Sequence, residues 1–161
     1  MLAVLIGLIL MGLVIYPLVL KFFTGMSIVH FYKSMRPVFL MAFSTSSSAA
    51  TLPLTISVVE KDLKVSPAVA RFILPLGSTI NMDGTALYQC VAAIFISQVY
   101  GIDLSIGQQL IIIFTALMGA VGAAGVPGAG MITLVMVLQS VGIPVEGLAL
   151  IMAPDRILDM C

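Results

Sequence analysis

The chain has 161 residues, of which 61% are hydrophobic and 9% charged, with a mean hydropathy of +1.22. Soluble domains carry about 25% charged residues, so the composition is that of an integral membrane protein. Seven Lys/Arg balance seven Asp/Glu, which leaves no basic footprint for nucleic acid, and two cysteines, Cys90 and Cys161, make neither a disulfide framework nor a metal-ligand spacing.

Residues 2–23 are long enough to cross a bilayer, with Pro17 expected as a tolerated kink. Met1 opens directly into apolar sequence without a basic n-region or a small-residue cleavage site, so this stretch reads as a retained span. Lys21, His30, Lys33 and Arg36 follow in a short amphipathic connection. His30 reads as a solvated interfacial histidine, with a proton carrier as the alternative.

Residues 37–60 are decided by arithmetic. Two apolar arms, 37–43 and 49–59, flank the run Ser44-Thr45-Ser46-Ser47-Ser48. Neither arm approaches the roughly 20 residues that a spanning helix needs. Lys61, Lys64 and Arg71 lie just beyond, and the positive-inside rule assigns both basic clusters to the cytoplasmic side. A re-entrant hairpin with its serine tip at depth satisfies both constraints.

Residues 67–100 then cross outward through a polar interruption, Asn81-Met82-Asp83-Gly84-Thr85. A carboxylate at that depth costs about 2.5–3.5 kcal/mol on insertion scales, and backbone leaves the helix there only where it lines a protein-enclosed site. The interruption therefore reads as an ion- and substrate-coordinating break. Residues 106–141 form a second hairpin dipping from the opposite face: arms 110–118 and 131–137 enclose a tip with Gly119, Gly122, Gly125, Pro127, Gly128 and Gly130, and the flanking loops lack Lys and Arg. Residues 148–161 read as the start of a last span, so the chain is expected to be a fragment. The fold expected is an all-α membrane protein with two oppositely oriented re-entrant helical hairpins and a broken helix. Inverted repeats with interrupted helices meeting near the midplane are the layout of secondary transporters.

Several features carry two readings. Serine hydroxyls close the backbone at tight turns, but a helix N-terminus directly after such a run also suits a carboxylate. The glycine spacings either permit close helix packing or leave a flexible tip whose bare backbone offers carbonyls to cations and amides to anions. No Gly-Lys-Ser/Thr follows, which excludes a phosphate loop. Asp155 and Asp159 share a helix face, either as part of a neutralised cluster with Arg156 or with Asp159, the deeper of the two, holding a substrate ammonium. Oxygen ligands without thiolates suit a hard monovalent cation: Asp83 supplies charge, Asn81 and Thr85 neutral oxygens. No nucleophile–base constellation is visible, and no enzyme activity is expected.

Four ordered motifs, Ser46-Ser47-Ser48-Ala49-Ala50-Thr51-Leu52-Pro53, the Asn-Met-Asp-Gly-Thr at 81–85, Gly125-Val126-Pro127-Gly128-Ala129-Gly130 and residues 155–160, together resemble the dicarboxylate/amino acid:cation symporters, the sodium-coupled glutamate and aspartate transporters. The resemblance implies most of a moving transport domain, spanning residues 1–161, whose scaffold is absent. It implies a homotrimer with elevator-type movement in a bacterial or archaeal inner membrane. It implies substrate contacts at Ser46, Ser48, Thr85, Val126, Gly130 and Asp159. For sodium it implies Gly77, Asn81, Met82 and Asp83, with main-chain oxygens of Thr79, Ala120, Val121 and Ala123 forming a further position when the second hairpin shuts. No cofactor is implied beyond sodium as coupling ion. The family's substrate-selecting arginine would fall immediately after Cys161, and some relatives carry an arginine where this chain has Ser46. Asp159 favours amino acids over plain dicarboxylates.

The function expected is a symporter coupling sodium or proton entry to uptake of an amino acid, aspartate or glutamate foremost. An inert truncated membrane fragment and a channel-like pore are the alternatives.

Overall fold

The computed structural model describes residues 2–123 and 125–158. Among these the secondary structure is helical, with no strand. The first helix, α1 (Leu2–Thr24), is the one helix among them long and apolar enough to cross a membrane, with a mean hydropathy of 2.7. Gly25, at φ 65°, ends it by returning its N–H to Lys21 O.

Just before Pro17, α1 contains one π-helical turn, Met11–Ile15. Proline explains it. The Tyr16 N–H reaches back to Met11 O, and the next amide in that register belongs to Pro17, which has no proton to offer Gly12 O. The orphaned carbonyl is filled from elsewhere: the Tyr32 hydroxyl donates to Gly12 O. This bond ties α1 to the next helix, α2 (Ile28–Thr45), which starts well before the apolar arm and passes through Pro37. One missing N–H does not end a helix whose Met35 and Val38 are buried on either side of it.

The serine run turns the chain. Ser46 caps α2 in the left-handed region, φ 48° and ψ 33°, and Ser47 starts α3 (Ser48–Lys61) by accepting the Ala50 N–H on its side chain. α4 (Pro67–Ile80) packs against this hairpin through a core of Met35, Val38, Val58, Val59 and Ala70. Arg71 Nε meets Glu60 Oε1 at 2.7 Å, but Arg71 is exposed, and such surface pairs contribute little.

After a two-residue break at Asn81 and Met82, α5 (Asp83–Val99) continues the broken helix. Asp83 and Thr85 thus sit in the first turn of α5 rather than in unwound chain. α6 (Ile106–Gly122) opens with a capping box in which Ser105 and Gln108 satisfy each other's backbone. α7 (Ala129–Ser140) returns alongside it, followed by a 3-10 turn, Val145–Leu150, and α8 (Met152–Leu158). Val4, Ala92, Ala93, Ile96, Ile112, Ala116, Leu134, Leu138 and Ile151 form the second core. Each half of the broken helix therefore carries one hairpin, α2–α3 on α4 and α6–α7 on α5.

α6 runs through Gly119, past the expected arm end at residue 118. Glycine in a helix interior costs up to about 1 kcal/mol relative to alanine. Here close packing offsets that cost: a Cβ at Gly119 would lie 3.4 Å from Thr133 Cβ and 3.5 Å from Gln89 Oε1. Phe22, Phe72, Ile106, Phe114 and Ile132 face outward, the pattern expected of a chain set in lipid or against further protein.

Candidate functional site

The two hairpin tips meet above the break. The Ser47 hydroxyl donates to Gly125 O at 2.7 Å and the Ala49 N–H donates to the same oxygen at 3.1 Å. Glycine at 125 suits this approach, because a Cβ there would crowd Ala49 N at 3.1 Å and Ser48 Cβ at 3.2 Å. Beneath the tips lies a cavity of about 310 Å³, at the small end of ligand pockets.

Of the residues expected to touch substrate, Ser46, Ser48, Thr85, Val126 and Gly130 line this cavity. Asp159 lies outside the described residues; Asp155, one helical turn earlier, is on the cavity wall. Of those expected at the cation positions, Gly77, Asn81, Met82, Asp83 and Ala123 line it as well. Thr79, Ala120 and Val121 do not: Thr79 and Val121 are exposed, and Ala120 is buried with its carbonyl accepting the Ala123 N–H. Among the described residues no group of three or more His, Cys, Asp or Glu side chains comes together. The oxygens facing the cavity suit a hard cation rather than a soft one.

The break itself supplies unused backbone. Asn81 (φ −98°, ψ 64°) and Met82 (φ −102°, ψ 59°) leave helical geometry, so α4 ends and α5 begins within two residues. A helix end leaves its last carbonyls unpaired and a helix start its first N–H groups, so donors and acceptors are concentrated at one point. The side chains of Ser46, Ser48, Asn81 and Thr85 have no hydrogen-bond partner among the described residues and are free for a ligand. The start of α3 is less free than the serine run suggests. The Ala49 N–H is spent on Gly125 O and that of Ala50 on the Ser47 hydroxyl, so an anion arriving there competes with the second tip.

Sequence reasoning passed over three residues. Ser47, between the two serines selected, bridges the tips. Tyr16 bonds Asp83, and its one signal was a phenol in an otherwise apolar span. Gln89 is fully buried, and its Nε2 donates to Gly130 O at 3.1 Å and to Thr133 Oγ1, while Oε1 finds no partner among the described residues. A buried amide of this kind orders the start of α7. Replacing Gln89 with alanine removes both bonds and opens a void, an expected loss of about 2–4 kcal/mol, readable as a lowered unfolding midpoint in detergent.

Two hairpins closing on an interrupted helix around a polar cavity have the layout of a membrane transporter. The particular kind follows from comparison: the family model for the sodium:dicarboxylate symporter family matches residues 1–161, and the chain belongs to that family. The family is one of transporters rather than enzymes, and membership puts the chain in a membrane. Similar proteins include the human excitatory amino acid transporter 5, 48% identical over 153 residues, covering 95% of this chain and 27% of that protein. The mouse excitatory amino acid transporter 3 is 47% identical over 159 residues, covering 99% of this chain and 30% of that protein. An excitatory amino acid transporter of Caenorhabditis elegans is 45% identical over 159 residues, with coverages of 99% and 32%. The chain thus spans less than a third of the length of these relatives.

Proposed function

We propose that the chain forms the substrate- and cation-binding part of a symporter that couples sodium entry to uptake of an amino acid, aspartate or glutamate foremost. The observation that carries this reading is the meeting of the two tips through Gly125 O, over a cavity lined by Asp83, Asn81 and Thr85. The names of the relatives support the substrate class, and the family description supports sodium; protons are the alternative coupling ion.

In this reading Asp83 and Asn81, with the Gly77 main chain and the Met82 thioether, take the cation. Ser46, Ser48, Thr85, Val126, Gly130 and Asp159 take the substrate. A further cation position at the main chain of Thr79, Ala120, Val121 and Ala123 forms as the second tip shuts, which fits their lying mostly off the present cavity wall. We read the hairpins as re-entrant: α3 (14 residues) and α7 (12 residues) are shorter than a spanning helix, while α2 (18 residues) and α6 (17 residues) reach only the lower end of that range. Elevator movement and a homotrimer rest on the family resemblance, as does a bacterial or archaeal inner membrane; the relatives named above are animal proteins. Outward apolar side chains fit both lipid and a scaffold as neighbours.

The test is uptake of labelled aspartate by proteoliposomes of the protein expressed from the complete reading frame containing these residues. A sodium or proton gradient is expected to drive saturable accumulation. Equal uptake with and without either gradient overturns the coupling, and unsaturable conductance points to a pore.

A further inference from the structure

We infer that Tyr16 is a positioning residue of the cation site: its hydroxyl fixes the Asp83 carboxylate. The inference rests on the cation-coupled reading above and adds to it a residue that no motif supplied. The Tyr16 hydroxyl donates to Asp83 Oδ2 at 2.7 Å, within the range of charge-assisted O–H···O⁻ bonds. Both residues line the cavity that holds Asn81, Met82 and Thr85.

The chemistry explains why a phenol serves. The terminal torsion of an aspartate is broad, so an unheld carboxylate samples many directions. One fixed donor on Oδ2 commits Oδ1 to a single direction. A hydroxyl does this without bringing a positive charge that would repel the arriving cation, as lysine or arginine would. The carboxylate keeps its full charge, and the cation meets an oxygen already aimed.

The helix is built to deliver this hydroxyl. Val4 and Leu8, before the π turn, line the same cavity as Tyr16, after it. In an unbroken α-helix at about 100° per residue, Tyr16 would stand roughly 80° around from Leu8. The π turn absorbs one extra residue and brings Tyr16 to within roughly 20° of Leu8. In an unbroken α-helix the Pro17 ring would clash with the carbonyl of Leu13, four residues back, and the π turn relieves that clash; Gly12 O, left without an amide, is compensated by Tyr32. Gly84 completes the approach, since a Cβ there would touch Leu8 Cδ2 at 3.4 Å.

The experiment uses the protein from the complete reading frame in proteoliposomes, with sodium titrated at fixed labelled aspartate. Tyr16→Phe is expected to raise the sodium concentration for half-maximal uptake by roughly tenfold, the size of one bond to a charged group, with uptake at saturating sodium retained. Asp83→Asn is expected to impair sodium dependence more, and Tyr16→Phe added to it to change nothing further, because the hydroxyl acts only through the carboxylate. Pro17→Ala keeps the phenol but lets the turn relax to α-helix, and is expected to shift sodium dependence in the direction of Tyr16→Phe. It decides the matter alone if Tyr16→Phe fails to fold. Wild-type sodium dependence in Tyr16→Phe beside an impaired Asp83→Asn overturns the role of Tyr16 and leaves the transporter reading standing. So do effects of the two substitutions that multiply in the double variant. A parent protein with no cation dependence overturns the reading itself and the inference with it.

Discussion

Replacing Asp83 with alanine is expected to weaken the sodium dependence of uptake severely while leaving insertion into the membrane unharmed. Among the residues that line the break, Gly77, Asn81, Met82, Asp83, Gly84 and Thr85, Asp83 alone carries a charge. A monovalent cation entering the cavity gives up water, and neutral oxygens without a compensating charge do not offset that loss. Truncating one partner of a partly buried charge pair costs about 3–5 kcal/mol, so the sodium concentration for half-maximal uptake should rise by roughly a hundredfold or more. Insertion moves the other way, because the roughly 2.5–3.5 kcal/mol cost of a carboxylate at depth disappears with the side chain. Sodium titration of uptake, alongside the yield of membrane-extracted protein, separates the two effects. Unchanged sodium dependence in this variant sinks the assignment of Asp83.

Gly125→Val is expected to separate the tips. A Cβ there would crowd the Ala49 backbone nitrogen and Ser48 Cβ, neither of them a flexible side-chain end, and the two further carbons of valine need room beyond that. The second tip must therefore withdraw, which breaks the bonds from the Ser47 hydroxyl and the Ala49 N–H to Gly125 O. Overpacking plus two lost bonds amounts to about 2–4 kcal/mol, or roughly a 30- to 700-fold loss of substrate affinity. Gly122→Ala is the control: a Cβ there meets nothing within 4 Å, so affinity is expected to stay near that of the parent. Equilibrium binding of labelled aspartate to the purified protein measures both. Parent-like affinity in Gly125→Val would mean that contact between the tips does not shape the site.

Different elements were legible to different degrees, for physical reasons. The interruption at 81–85 stands out because a carboxylate and an amide inside apolar sequence have no cheap structural role. The serine and glycine tips were visible because each separates two short apolar runs, although the helices leading into them, α2 and α6, extend well past those runs. The short break was less legible: Asp83 and Thr85 fall inside the first turn of α5, since an acidic residue is favoured at a helix start and does not prolong the gap. The extent of α6 was hidden too, because glycine's low helix propensity at Gly119 is outweighed by contacts with Thr133 and Gln89 that exist only once three helices are packed. The π turn before Pro17 was not legible either, because the hydroxyl that makes its open carbonyl tolerable comes from another helix.

The sequence by itself determined the membrane setting, the helical class, the polar and glycine-rich stretches where the chain turns or breaks, and the family to which the chain belongs. These follow from composition, run length and the chemistry of a few polar residues, all of which are local. Only the tertiary structure decided that Gly125 joins the two tips, that Tyr16 reaches Asp83, and that Gln89 holds Gly130 and Thr133. Each of these depends on the rotation and approach of helices far apart in the chain, where one residue's phase in a turn moves a side chain by about 100° and no local pattern records it.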